Sequence, residues 1–242
     1  MRAIDIPAEE AKYQKNWVRS GEATKARFGN VDVFDFKPKH SSDYFFDERP
    51  PKNLVVLHYT QGWIWGDIPT LTTDHFHVSV AFVVARSGIV YRLFPEDRWS
   101  FHLGREQDVT GGSEFNSRRS IAIEVSNVGP LALAGNDLKF VGKTYCTTAE
   151  TDFYQKLASP YRGHQYFATF TGEQYTAVSA LLDQIKATYG IARSFLPQEK
   201  RFAPFESEPA ADAYKGIASH VNYRPTGKTD IGPAFNWAKI GA

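Results

Sequence analysis

Cysteine is almost missing from this chain. Its 242 residues include one, Cys146, so no internal disulfide can close and no Cys-rich zinc module can form. With no partner thiol, Cys146 is expected to be inert. No stretch approaches the ~20 apolar residues needed to span a bilayer. The opening MRAIDIPAEE lacks the apolar run of a secretory signal. Localisation stays open on that ground: a cytoplasmic protein, one that leaves by another route, or a mature form of an exported one. A surplus of either charge is also absent, with 28 Lys and Arg against 27 Asp and Glu. This balance argues against nucleic acid as the main partner, because phosphate contacts need excess cations. Internal repeats and low-complexity tracts are missing as well.

What is present reads as an ordinary globular protein. Hydrophobic residues make up 42% and charged residues 23%, which excludes a chain too polar to fold. Aromatic residues are plentiful at 14%, enough for a densely packed core or for a groove that stacks on flat ligands. Residues 8–18 read as a helix, with Pro7 suited to its first turn. A polar, proline-bearing stretch at 37–52 reads as a linker. Residues 1–50 are therefore expected to be an N-terminal extension of a short helix and linker, and 51–242 the main domain.

Within that domain, Leu54, Val55, Val56 and Leu57 form a short apolar run typical of a strand buried on both faces. Residues 78–86 and 89–94 flank Ser87-Gly88 and predict a hairpin. Residues 120–126 predict another strand. Thr171 and Gln174 have capping-box spacing and open a helix. Its face carries Tyr175, Val178, Leu182, Ile185 and Tyr189, and Gly190 stops it. Strands mixed with helices predict a single α/β domain with a central mixed β-sheet flanked by helices.

Three places carry residues with chemistry. His58 ends the buried strand, where sites gather in α/β sheets; the plain alternative is a polar residue where the strand meets solvent. Glu124 shares a strand face with Ala122 and Ser126, opposite Ile121, Ile123 and Val125. A carboxylate in a central strand is costly unless paired or coordinated, so this face is either the floor of a site or simply wet. The third place is the segment from His220 to Pro233, with Lys228 and Asp230 among turn residues. His58, His220 and Asp230 together could ligate zinc and leave a fourth position free, the layout of catalytic rather than structural zinc. His75 and His77 stand two apart, as metal-binding pairs can, although a wet strand entry explains them too. Trp63 and Trp65 form an aromatic loop after His58 that either stacks on sugars or packs down.

Five motifs occur in order: HYTQG at 58–62, SGIVYRLFPED at 87–97, FHLG at 101–104, IAIEV at 121–125 and GKTDIGPAFNW at 227–237. Together they resemble the type 2 N-acetylmuramoyl-L-alanine amidases, a group that includes amidase-type phage lysozymes, anhydromuropeptide amidases and peptidoglycan recognition proteins. The resemblance covers roughly residues 50–238. It implies that fold, a Zn2+ cofactor, and hydrolysis of the bond between N-acetylmuramic acid and L-alanine in peptidoglycan or muropeptides. The matching metal ligands are His58, His220 and Asp230, and the matching catalytic residues are Glu124 and Lys228. Tyr59, Trp63, His102 and Asn127 are candidate substrate-binding residues. The chain departs from the family pattern at Ala81, where many members carry His, and at Phe101-His102-Leu103-Gly104, where Trp-His-Ala-Gly is common. The pattern does not account for 1–50 or for about 130–170. A muropeptide-binding protein of the same fold without catalysis is the alternative, and loss of a ligand would be its mark. Substrate size, intact wall or soluble fragment, oligomeric state and release from the cell as in phage lysins are not fixed by the residues.

Overall fold

A computed structural model describes residues 1–40, 43–104 and 113–242. Its centre is a seven-stranded mixed sheet. The strands, in chain order, are β1 (Ala23–Phe28), β2 (Val31–Phe36), β3 (Leu54–Tyr59), β4 (Phe82–Val84), β5 (Val90–Arg92), β6 (Ser120–Val125) and, after those of a second sheet, β12 (Gly216–Ser219). Their spatial order is β1-β2-β5-β4-β6-β3-β12. β4, β6, β3 and β12 run parallel to their neighbours in that row, while β1–β2 and β4–β5 are antiparallel hairpins. β3 is buried at every position, as its unbroken apolar run requires.

The expected helix at 8–18 is longer, α1 (Ile6–Ser20), with proline in its first turn and Gly21 closing it at φ 78°. Gln174 and Thr171 exchange reciprocal cap bonds at 3.1 Å at the start of α4 (Gly172–Tyr189). The Gln174 amide then reaches Ser126 O at 2.8 Å, tying that helix to the end of β6.

Residues 1–50 differ from the expected helix and linker. They also carry the β1–β2 hairpin, which joins the sheet where Phe34 and Asp35 pair with Tyr91 and Arg92. The strand signal was weak because β1 (ATKARF) buries only its two ends. Part of the expected linker, 41–42, lies outside the described residues. Nearby, Tyr44 donates to Leu93 O at 2.6 Å, so this stretch packs against the domain.

The 130–170 region folds as a second, antiparallel sheet. Its strands are β7 (Pro130–Ala134), β8 (Asp137–Phe140), β9 (Lys143–Thr147), β10 (Tyr154–Tyr161) and β11 (His164–Ala168), ordered β10-β11-β7-β8-β9. Two-residue turns at Gly135-Asn136 and Val141-Gly142 close its first two hairpins. Gly-Asn is a hairpin signal that could have revealed it. Cys146 lies fully buried in the apolar cluster under this sheet, its thiol pushed up to about 11 by burial and, secondarily, by Glu150.

The helix α1 is bolted to the sheet by one carboxylate. Glu10 is buried and accepts the backbone N–H groups of Arg86 and Ser87, each at 3.0 Å, in the β4–β5 turn. Burial raises its pKa, and the two N–H bonds oppose that rise. Glu10→Ala leaves two donors unsatisfied and is expected to cost about 2–4 kcal/mol. Glu10→Gln keeps one acceptor oxygen and should cost less. Urea denaturation checks both, with exposed Lys15→Ala as the control within about 0.5 kcal/mol.

Candidate metal centre

The parallel register aligns His58, Glu124 and the strand end that precedes His220. His58 on β3 pairs with Glu124 on β6, so both side chains leave the same face. On the other side, Leu57 pairs with Ser219 at the end of β12, and His220 follows as the first residue of α6 (His220–Tyr223). Asn222 fixes that turn, since its oxygen accepts from Ser219 N–H at 2.8 Å and its amide donates to Ala203 O at 2.7 Å. The chain then loops back, and Val221 N–H donates to Asp230 O at 2.9 Å.

The result is a small triangle of donor atoms. His58 Nδ1 lies 3.0 Å from His220 Nδ1, His220 Nδ1 2.8 Å from Asp230 Oδ2, and His58 Nδ1 3.2 Å from the same oxygen. All three residues are buried, and they form the one such group among the described residues. Ligand atoms about 2.0–2.1 Å from a tetrahedral ion stand roughly 3.3 Å apart. The triangle is close to that size, and two imidazoles with one carboxylate suit a zinc-like cation. His75 and His77 do not form a comparable group: both contact Asp43, at 2.7 and 2.9 Å.

Electrostatics follow burial and proximity. His58 is pulled down to about 4 by burial and by the His220 charge, with Asp230 opposing. Burial pushes the Asp230 carboxyl up, but the charges and hydrogen bonds of His220 and His58 outweigh it and hold the group well below the usual range. Glu124 moves the other way. Burial raises it well above a normal carboxyl, Asp230 and Asp67 add to the rise, and Lys228 opposes it. Its Oε2 is buried with no hydrogen-bond partner. Lys228 itself is exposed.

Each of the four candidate substrate-binding residues has partners within the protein. His102 is buried behind His58: His58 Nε2 meets His102 Nδ1 at 2.9 Å, and His102 Nε2 meets Ser120 Oγ at 2.6 Å. A cation on His58 Nδ1 requires the proton on Nε2, which makes His58 the donor to His102 and His102 the donor to Ser120. The Ser120 hydroxyl then donates to Ser117 O at 3.2 Å. His102 thus stands where a residue that orients the His58 imidazole would stand. Asn127 has both side-chain polar atoms committed, to Ala168 O and Thr169 O as donor and to Gly129 N–H as acceptor. The Tyr59 hydroxyl bonds the Thr229 hydroxyl, bracing the loop of Asp230. Trp63 packs down, stacked on Trp65 and Tyr145 at 5.7 and 6.1 Å. The expected aromatic loop is the start of a helix, α2 (Ile64–Leu71).

One residue escaped the sequence reading. Asp67, in the first turn of α2, feels Glu124 and has a buried Oδ2 without a partner. The Trp63–Asp67 spacing is short enough for a capped first turn, but no motif marked it.

Buried donor atoms converge at the carboxyl ends of parallel strands, beside a carboxylate of raised pKa, in a group that could hold one metal ion. Residues 47–233 match the model of the N-acetylmuramoyl-L-alanine amidases, and the chain belongs to that family of peptidoglycan hydrolases. No curated protein sequence matches the chain. Among solved structures, a selenomethionine derivative of AmpD is similar at 20% identity, over 86% of this chain and 92% of that one, with a TM-score of 0.49. AmiD from E. coli, solved with the substrate anhydro-N-acetylmuramic acid-L-Ala-D-gamma-Glu-L-Lys, is similar at 22% identity over 89% and 64%, with a TM-score of 0.49. AMPDH3 from Pseudomonas aeruginosa is similar at 15% identity over 84% and 64%, with a TM-score of 0.48. The chain thus spans under two thirds of the last two. No helix is long and apolar enough to cross a membrane among the described residues.

Asp67 yields a pH signature. Burial lifts it to about 7, Thr60 and Trp63 hydrogen bonds oppose, and Glu10 adds to the rise. The fold thus favours the protonated form, whose contribution is complete below the unfolded value near 3.8 and is lost as pH rises through about 7. Denaturation between pH 4 and 8 should show wild type losing stability relative to Asp67→Asn over that window. Parallel curves would refute the assignment.

Proposed function

We propose that the chain is a zinc-dependent amidase that hydrolyses the bond between N-acetylmuramic acid and L-alanine in peptidoglycan or its fragments. The observation that carries this reading is the 2.8–3.2 Å triangle of His58, His220 and Asp230 donor atoms, one strand from an unpartnered Glu124 oxygen. Zinc held there would supply Lewis acidity to the scissile carbonyl and acidify a water.

The protein's own groups do the rest. Burial, with Asp230 beside it, raises the proton affinity of Glu124, the direction a general base needs. Its free oxygen takes a proton from the attacking water and returns it to the departing alanine nitrogen. Lys228 presents a positive charge that acts on Glu124 and His58. The same ammonium would stabilise negative charge growing on the lactyl oxygen. His102 and Ser120 keep the His58 proton on Nε2, leaving Nδ1 free as a ligand. All three ligand positions are retained, which favours catalysis over a binding-only role.

Purified protein should hold about one zinc per chain, and His58→Ala or Asp230→Ala should lose metal and activity together. Glu124→Gln should keep its zinc and lose rate by roughly 10²–10⁴; near-normal turnover would move the base elsewhere. Lys228→Met should lower kcat by roughly 10²–10³ with little change in KM, and a rise in KM alone would reassign it to substrate binding. Mass spectrometry of digested peptidoglycan, beside turnover of soluble muropeptides, reads the bond cut and the fragment size preferred.

A further inference from the structure

The β10–β11 hairpin ends in a two-residue turn, Arg162-Gly163, between the paired Tyr161 and His164. Both turn residues have left-handed φ, 49° and 83°. Turns of this kind favour Asn, Asp or Gly at the first position, and a residue with a long side chain adopts that region at a cost. The side chain of Arg162 is engaged at a distance. Its Nη1 donates to Lys228 O, and its Nη2 donates to Arg224 O at 2.9 Å.

The loop so gripped has little structure of its own. Among the described residues, the backbone of 224–230 enters one backbone hydrogen bond, the one from Val221 N–H to Asp230 O. Gly227 is at φ 73° with open space beside it. The other holds come from side chains: Tyr59 on Thr229, and the guanidinium on two carbonyls four residues apart. The second sheet touches the loop again just past Asp230, where Phe167 on β11 lies against Gly232.

We propose that Arg162, at the tip of the second sheet, is a positioning residue for the metal centre: its guanidinium spans the 224–228 loop and sets Asp230 against His58 and His220. The inference rests on the metal reading above. A planar fork holding two carbonyls fixes the curvature of the loop, as a single point donor does not. The loop's ordering is then completed on folding, and the ion meets three ligands already in register. The second sheet, which lies outside the family motifs, thereby acts on the site through the loop of Asp230.

The test compares Arg162→Ala and Arg162→Lys with wild type. Zinc affinity is measured against a competing chelator, and trypsin cleavage after Lys228 is followed by mass spectrometry in the metal-free protein, where cleavage reads loop opening. Arg162→Ala should bind zinc about 10–100-fold more weakly, be cut faster after Lys228, and lose kcat without a rise in KM when zinc is saturating. Arg162→Lys should restore the charge but not the two-point grip, so most of the affinity loss should persist. Unchanged zinc affinity in Arg162→Ala, full recovery in Arg162→Lys, or a rise in KM alone would each overturn the proposal. Should the alanine variant fail to fold, the lysine variant carries the same comparison. If wild type itself takes up no zinc, the metal reading fails, while the cleavage rate after Lys228 still decides whether Arg162 holds the loop.

Discussion

Two imidazoles and a carboxylate forced within about hydrogen-bond distance of one another, all out of water, are the constraint on which this structure turns. Burial alone drives His58 toward its neutral form, and it would do the same to a lone carboxyl. Asp230 stays ionised because His58 and His220 face it. Such an arrangement survives only if each of the three side chains is held from behind. His58 is held by a buried central strand and by His102, His220 by the Ser219–Asn222 cap, and Asp230 by Val221, Thr229 with Tyr59, and the arginine fork. Three different devices thus converge on one point, each drawn from a different part of the chain.

Glu124 belongs to the same logic but is left deliberately incomplete. Its register partner is His58, so it leaves the sheet beside the donor triangle. Asp230 and Asp67 both raise its proton affinity, and Lys228 restrains that rise. An oxygen with no partner in such surroundings is a poor choice for stability and a suitable one for moving protons.

Much of this was legible in the sequence where pattern and period were strong. The unbroken run Leu54–Leu57 gave a strand buried on both faces, and the alternation around Glu124 gave its face. The Thr171-Gln174 box and Gly190 gave both ends of a helix. The N-terminal hairpin was hidden because β1 alternates charged and small residues and buries little. The second sheet was hidden for a similar reason: β10 exposes most of its length, so its strands are read from turns rather than from apolar period. Residue roles were harder still. His102 and Asn127 are polar residues whose partners, His58 and Ser120 for one and Ala168, Thr169 and Gly129 for the other, are far from obvious in the sequence.

The order of the sheet has a consequence for how the protein is made. β12 stands at the end of the strand order, pairs along its length with β3, meets Phe195 at a single bridge from Ile217, and follows the other described strands in sequence. His220 and Asp230 lie beyond it. A nascent chain can therefore assemble β1 to β6 and the second sheet while only His58 of the donor triangle is present. Throughout that interval the open edge of β3 is a row of unpaired backbone groups and a hazard for misassociation. The donor triangle and the closing of that edge are completed by one segment, residues 216–230.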